Sequence, residues 1–479
     1  MSLKAPFIIL LITSILVLAS CRLFNPKPIP CVQKTIPDKF SVFTTSAAPE
    51  QKWWETFHDY ELNALVEEAL SNNMNLKQIW ARLKQARATA IQAGAYRYPA
   101  LTGTAGATHS RKRTKNRSAL TSTSENYSLG LSTSYELDLW GRVRAEQEAA
   151  ILSAEASKQD LNAAAITLAA EVTNRWLQII AQRTQKHLLN EQLKTNKTFL
   201  ELINLRFRHA MVSALDVYQQ RQVIDQLRAQ IPLIKAQESR LMNELSVLLG
   251  KAPRSPLIIS RPDLPKLEPM PSTGIPADLL ENRPDIKAAQ LRLQSAGWNV
   301  SSARADRLPS LTLSARAVIE NKRLDLLLDN WLLSLAANLT VPVFDGNRRA
   351  SEVDRTMAMK DENLAAYRQI ILTAIREVED TLVTEARQKE HILELKQVIH
   401  TARKALAQAT LRYRNGLNDY LPVLTQILSV QDLERNLIAQ RTTLLINRIS
   451  LYRSLGGTWT DDLIRQKGSS RGGPCDRHD

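Results

Sequence analysis

Tyr127-Ser128-Leu129-Gly130-Leu131-Ser132-Thr133-Ser134-Tyr135-Glu136-Leu137-Asp138-Leu139 is the stretch on which the fold class turns. Tyr127, Leu129, Leu131, Thr133, Tyr135, Leu137 and Leu139 fall on one side of an extended chain, and Ser128, Gly130, Ser132, Ser134, Glu136 and Asp138 on the other. A strand turns successive side chains to opposite faces, so the segment has one apolar face and one wet face. A weaker, Thr/Gly/Ala-rich strand precedes it from Leu101 to His109. The pair recurs later. Leu311, Leu313, Ala315 and Ala317 alternate with Thr312, Ser314 and Arg316; Trp331, Leu333, Leu335, Ala337, Leu339 and Val341 alternate with Leu332, Ser334, Ala336, Asn338 and Thr340.

An amphipathic sheet packed on a soluble core shares this alternation. Strands of roughly 9–13 residues with aromatics at their ends, however, match the tilted span of a membrane strand. Four strands close no barrel alone, because membrane barrels begin at about eight. An open edge in lipid leaves backbone groups unpaired at several kcal/mol each. The chain must therefore share a barrel with at least one more copy, through a head-to-tail interface that closes on rotation.

Each strand pair leads into a long helical stretch. Arg142 to Ile231 contains neither Gly nor Pro, nor does Asn347 to Asn415. Some 65 helical residues reach roughly 100 Å, more than a globular domain needs. Ala149, Ala150, Ala154, Ala163, Ala164, Ala165, Ala169 and Ala170 allow close helix approach, and Ile166, Val172, Trp176 and Ile179 supply an apolar seam.

The chain also repeats itself. Leu76-Lys77 aligns with Ile286-Lys287, Arg97 with Arg307, Pro99 with Pro309, and Leu205-Arg206-Phe207-Arg208 with Leu411-Arg412-Tyr413-Arg414. The shift of roughly 205–210 residues far exceeds solenoid periods, so a domain-sized unit is duplicated. Pro253, Pro256, Pro262, Pro265, Pro269, Pro271 and Pro276 make the segment between the halves an extended linker.

With 479 residues, 44% hydrophobic and 23% charged, the chain suits two or three domains. No apolar run beyond the N-terminus is long enough to span a bilayer as a helix. The net charge of +15 is spread along helices without the clustered basic and aromatic residues of a nucleic-acid binder, which excludes that partner. The densest basic run, Arg111 to Arg117, lies between two strand-like segments, as an external loop near anionic lipid or simply a solvated one.

At the N-terminus, Lys4, the apolar Phe7–Leu18 and the small Ala19-Ser20 read as a signal peptide. Leu18-Ala19-Ser20-Cys21 resembles a bacterial lipobox, which implies a covalent lipid on Cys21; a signal peptide followed by a coincidental cysteine is the alternative. Arg22 after the cysteine implies sorting to the outer membrane. Cys31 and Cys475 make no disulfide framework and stay unassigned. The division that follows is signal peptide 1–20, lipidated tail 21–50, first repeat 51–250, linker 251–276, second repeat 277–457 and tail 458–479. Strands are expected at about 100–110, 126–139, 309–319 and 330–343, and long helices at about 141–208, 214–249, 346–414 and 421–455.

Trp53-Trp54, Phe57, Asp59, Leu62-Asn63, Ala69-Leu70 and Asn73, the run Ile275 to Ile286 with Arg283-Pro284-Asp285-Ile286, Leu308-Pro309-Ser310-Leu311, and Val341-Pro342-Val343-Phe344-Asp345-Gly346 carry a resemblance. They resemble the outer-membrane efflux protein family (TolC-type), in its lipoprotein branch of OprM- and NodT-like factors. The resemblance implies a mainly α chain with a membrane β-barrel: a homotrimer sharing twelve strands, above long coiled helices that form a periplasmic α-barrel. It implies a passive duct, lipid-anchored in the cell outer membrane, working with a periplasmic adaptor and an inner-membrane pump.

Two turns fall where this family has its hairpin tips, Arg208–Val217 and Arg414–Val423. The resemblance implies that Asp216, Tyr413 and Asp419 line or latch the periplasmic aperture, and that His209, Ala210, Met211, Asn415, Gly416 and Leu417 meet the adaptor. Read as residues alone, Asp216 is equally a cap of the next helix. Ala210 stands where the family's first tip usually has Gly, Asn418 where some members have Arg, and Pro422 where many have an acidic residue, so the tip contacts are expected to differ. The seven histidines are scattered, without HExxH or Cys–His metal spacing, and no phosphate-binding or nucleophile-elbow motif occurs. No enzyme, metal or cofactor is expected. Two other functions remain open: a duct for type I protein secretion, and a non-conducting coiled-coil tether, which has no use for the strands.

Overall fold

The computed structural model of this chain describes residues 24–26, 37, 39–41, 52–115, 119–271, 273–457 and 459–460. The signal peptide, Cys21, Cys31 and Cys475 lie outside the described residues. Two compact units form: one holds Ala81–Lys158 and Ala288–Gln369, the other Val32–Trp80, Gln159–Lys287 and the chain from Ile370 onward.

The elements in order are α1 (Tyr60–Asn72), α2 (Met74–Ala95), β1 (Ala100–Lys115), β2 (Ala119–Leu137), α3 (Arg142–Arg208), α4 (Ala214–Leu248), α5 (Leu279–Asn282), α6 (Pro284–Ala305), β3 (Ser310–Asn321), β4 (Trp331–Thr340), α7 (Arg348–Arg414) and α8 (Leu421–Leu455). The duplication shows in matched lengths. α2 and α6 have 22 residues each, α3 and α7 have 67, and α4 and α8 have 35.

Local chemistry sets the helix starts. The Asp59 side chain accepts from the Leu62 N–H at 3.0 Å and caps α1, which buries Leu62, Leu65, Val66, Ala69 and Leu70. Asn73 Oδ1 accepts from the Leu76 N–H at 3.0 Å and starts α2, while its Nδ2 donates to the Leu248 carbonyl at 2.8 Å. Asn73 thus joins the start of one helix to the end of another. In the second repeat Arg283 takes that place. It donates to the Ser454 carbonyl at 3.0 Å and to Asp285 and Glu377 at 2.7 and 2.9 Å. The buried guanidinium explains why an arginine stands ahead of Pro284.

The second unit is centred on aromatics. Trp53 stacks on Tyr452 at 5.2 Å, Trp54 meets Trp459 edge-on at 4.7 Å, and Phe57 meets Trp176 at 6.0 Å. Ile166, Val172, Trp176 and Ile179 of α3 are buried, as the apolar seam requires. The proline-rich linker lies extended against these helices, so its carbonyls take donors from elsewhere. Arg183 reaches the Ile259 carbonyl, and Arg448 donates to those of Glu268 and Pro269 at 2.9 and 2.7 Å. Arg448 also pairs with Glu385 at 2.6 Å, both side chains closed to solvent, and Lys389 reaches the same carboxylate at 2.7 Å. Burial alone pushes the Glu385 carboxyl up; the hydrogen bonds from Arg448 and Lys389 overcome it and hold the group below the usual range.

The first unit contains one four-stranded antiparallel sheet in the order β1-β2-β3-β4. Its first hairpin corrects the expected bounds. β1 runs on to Lys115 and β2 begins at Ala119, so Arg111, Lys112 and Arg113 pair with Thr123, Ser122 and Thr121 inside the ladder instead of forming a loop. Backbone hydrogen bonds and β-branched threonines sustain a ribbon where no hydrophobic alternation marks it.

Candidate functional site

Every directly opposed pair in the sheet joins residues of equal parity: Leu101 faces Thr133, Leu131 faces Ala317, and Ala317 faces Leu333. Opposed residues of an antiparallel pair share a face, so all odd-numbered side chains lie on one side of the whole sheet. That side carries Leu101, Leu129, Leu131, Leu313, Leu333 and Leu339, all exposed, with Trp331 and Leu335 at 75% and 78%. The even side carries Thr102, Thr104, Ser128, Ser132, Ser134, Thr312, Ser314, Asn338 and Thr340. Two large apolar residues interrupt this side: Leu332, which is exposed, and its partner Val318, which is buried over Gly130, where a Cβ would meet it at 3.1 Å.

Aromatics flank the apolar face at both ends. Tyr127 and Trp331 stand at the hairpin end, and exposed Tyr96, Tyr98 and Phe344 at the helix end. β4 has 10 residues. At about 3.4 Å per residue and a tilt near 40°, such a strand rises about 26 Å, the height of a membrane barrel's apolar band. β1 and β4 each have one edge without a pairing strand in this sheet. At the helix end, the Trp140 indole N–H donates to the Pro309 carbonyl at 2.7 Å and ties the exit of β2 to the entry of β3.

The two hairpin tips belong to the second unit. α3 and α7 end in the same way. The Met211 N–H bonds back to the Arg206 carbonyl at 2.9 Å and the Ala210 N–H to that of Phe207 at 2.9 Å. Likewise the Leu417 N–H reaches Arg412 at 2.9 Å and the Gly416 N–H reaches Tyr413 at 3.1 Å. Both are Schellman terminations, with a left-handed residue at the turn. Gly416 adopts φ 72 freely, whereas Ala210 adopts φ 57 against the clash of its Cβ.

The expected tip residues fall in different settings. His209, Ala210, Met211, Asn415, Gly416 and Leu417 are all exposed, beside the exposed Leu215 and Leu421. Asp419 is exposed in the second turn. Asp216 completes a capping box: its Oδ2 accepts from the Ser213 N–H and hydroxyl at 2.9 Å each, and the Ser213 hydroxyl accepts from the Asp216 N–H at 3.4 Å. Tyr413 is 2% exposed and packs against Tyr420 at 5.6 Å, within a cluster holding Ile203, Val217, Val423 and Ile427. Its hydroxyl finds no hydrogen-bond partner among the described residues.

Two features escaped the sequence. Arg206 lies 4.4 Å over the Tyr413 ring and donates to the Tyr413 carbonyl at 3.0 Å and that of Arg414 at 3.4 Å, so a residue of α3 closes the end of α7. Buried Tyr420 donates to Gln220 at 2.5 Å, and Gln220 donates to Asn196. Burial, reinforced by Tyr413 and Asp216, raises the Tyr420 hydroxyl pKa, so it stays a donor. The repeated Leu-Arg-aromatic-Arg run was the available signal for Arg206, although its counterpart Arg412 is spent on Asn418 at 3.2 Å.

Known proteins share these features. The family model described as Outer membrane efflux protein matches residues 65–251 and 275–457. The Pyoverdine export outer membrane protein OpmQ of Pseudomonas aeruginosa is 32% identical over 424 residues, covering 87% of this chain and 90% of that one. Outer membrane protein OprJ of the same organism is 32% identical over 421 residues, covering 85% and 86%. The solved structure of the outer-membrane channel OprN has a TM-score of 0.85 at 27% identity, over 92% of this chain and 100% of that one.

Proposed function

Because the chain belongs to the outer membrane efflux protein family, we propose that it is the outer-membrane duct of an efflux system, passing small molecules delivered by an inner-membrane pump and a periplasmic adaptor. One observation carries most weight: a sheet with a single exposed apolar face of membrane height and two unpaired edges. Among the described residues no helix is long and apolar enough to cross a bilayer. Three copies of four strands make twelve, within the range of about 8–26 for membrane barrels, and leave no edge. The odd face then meets lipid and the even face lines the pore. Protein extracted in detergent is expected to run as a heat-modifiable trimer and to give conductance steps in planar bilayers. Recovery as a monomer needing no detergent overturns the duct.

The tips serve the periplasmic end. Their matched turns expose His209, Ala210, Met211, Asn415, Gly416 and Leu417 to an adaptor, with Leu215 and Leu421 as apolar rim. Photo-crosslinkers at Met211 and Leu417 are expected to capture the adaptor, whereas one at Ile151 of α3 is not.

Asp216 and Asp419, repeated around a threefold axis, form a cation-attracting aperture that Tyr413 supports from within each hairpin. Asp216→Asn with Asp419→Asn keeps a capping acceptor and removes the charge. Divalent-cation block of conductance is expected to weaken, and an unchanged block removes the aperture role. A diacylglycerol-modified Cys21 anchors the mature chain, which intact-mass measurement of wild type and Cys21→Ser tests.

A further inference from the structure

The first hairpin outgrows the sheet. β2 pairs with β3 only as far as Tyr127 opposite Asn321, while β1 and β2 stay paired with each other out to Lys115 opposite Ala119. A two-stranded ribbon therefore projects past the level of Tyr127 and Trp331, at the end away from the helices. Parity continues along it. On the odd face of β1, Leu101, Gly103, Ala105 and Ala107 give way to His109, Arg111 and Arg113, so the face that is apolar within the band turns cationic just beyond it. Glu125, the acidic residue opposite on that face, is engaged by His109 at 3.3 Å. Arg111 and Arg113 are exposed. The second hairpin lacks this bias. Arg323 is paired with Asp325 at 2.6 Å, and Glu320 and Asp329 offset Lys322.

We propose that Arg111 and Arg113 form a docking surface for the phosphate groups of an anionic phosphorylated glycolipid in the outer leaflet around the barrel. This rests on the reading of the sheet as a membrane wall. Arg111 lies four residues beyond Ala107, the partner of Tyr127, or about 13 Å along the strand. Tilt and the bending of a long side chain bring the guanidinium down to headgroup depth. Guanidinium binds phosphate through two parallel hydrogen bonds, a geometry that choline headgroups shield and a bare phosphomonoester offers. Lys112, on the pore-side face, takes no part.

The test uses purified full-length trimer in detergent, titrated with bis-phosphorylated lipid A or its dephosphorylated form and read by native mass spectrometry. Each arginine near an anionic surface contributes about fivefold, so a preference of about 30-fold for the phosphorylated form is expected. Arg111→Thr with Arg113→Thr is expected to abolish the preference, and Lys112→Thr to retain it. Equal retention of both lipids by the wild type, or a preference that survives the double substitution, overturns the proposal. Conductance of the wild type in phosphatidylcholine bilayers reports separately on the duct. Its absence removes both readings, whereas conductance with equal lipid retention removes only this one.

Discussion

Placing an arginine at Leu335 and, separately, at Ala336 moves one charge a single residue along β4 and from one face of the sheet to the other. Leu335 is fifth in the ten-residue strand, about 14 Å from Trp331 and 17 Å from Thr340 along it, which puts it near the middle of the apolar band. A lipid-facing arginine at the midplane costs about 2–4 kcal/mol, so the proposed trimer would lose about 6–12 kcal/mol over its three copies. Ala336 pairs with Ser314 on the wet face, and an arginine there meets water. Leu339→Arg, on the lipid face near the band's end, should cost only about 0–1 kcal/mol per copy. Urea-unfolded protein refolded into phosphatidylcholine vesicles reads the difference through the heat-modifiable band and the urea midpoint. The expected order is Ala336→Arg near wild type, Leu339→Arg slightly lower, and Leu335→Arg unable to insert. Equal insertion of Leu335→Arg and Ala336→Arg would refute the assignment of faces.

Ala210→Gly relieves a Cβ held in the left-handed region and is expected to stabilise the first tip by about 1 kcal/mol, visible as slower hydrogen exchange at residues 206–213. Arg448→Met leaves the buried Glu385 carboxylate only its bond from Lys389 and should lower unfolding stability by about 3 kcal/mol, the low end for a broken buried pair, while adding Glu385→Leu should recover most of it; a double variant no better than the single contradicts the pairing. The carboxyls of Glu385 and Glu238 are held low in the folded chain, so their contribution is present above the unfolded carboxyl pKa of about 4.3 and disappears as pH falls through the folded values. Thermal melts from pH 6 down to pH 3 should therefore drop at the acid end, and less steeply in the Arg448→Met/Glu385→Leu double variant.

Much of the architecture was legible. The gap in Gly and Pro between Arg142 and Ile231 marked a helix that ends only at Arg208, and the alternation from Tyr127 to Leu137 marked the face that all four strands share. The outer half of the first hairpin was not legible, because polar and basic residues pair through their backbones without alternating hydrophobicity. The break after Arg208 carries no glycine; only its alignment with Gly416 locates the turn at Ala210. Tyr413 beside a turn reads as a surface residue, and its burial depends on Tyr420, Arg206 and the hairpin cluster, contacts some two hundred residues apart in part. Side-chain bonds to distant carbonyls, such as those of Arg206 and Arg448, leave no periodic trace.

The equal 67-residue helices constrain how this chain can change length. Each residue added to a helix rotates everything beyond it by about 100°, so a one-residue insertion in α3 would swing Arg206 away from the end of α7. Seven residues bring the phase back to within about 20°, provided that α7 gains the same number. Length changes that keep the two tips together are therefore expected to come in paired steps of about two turns, and an engineer lengthening one hairpin alone should expect the tips to part company.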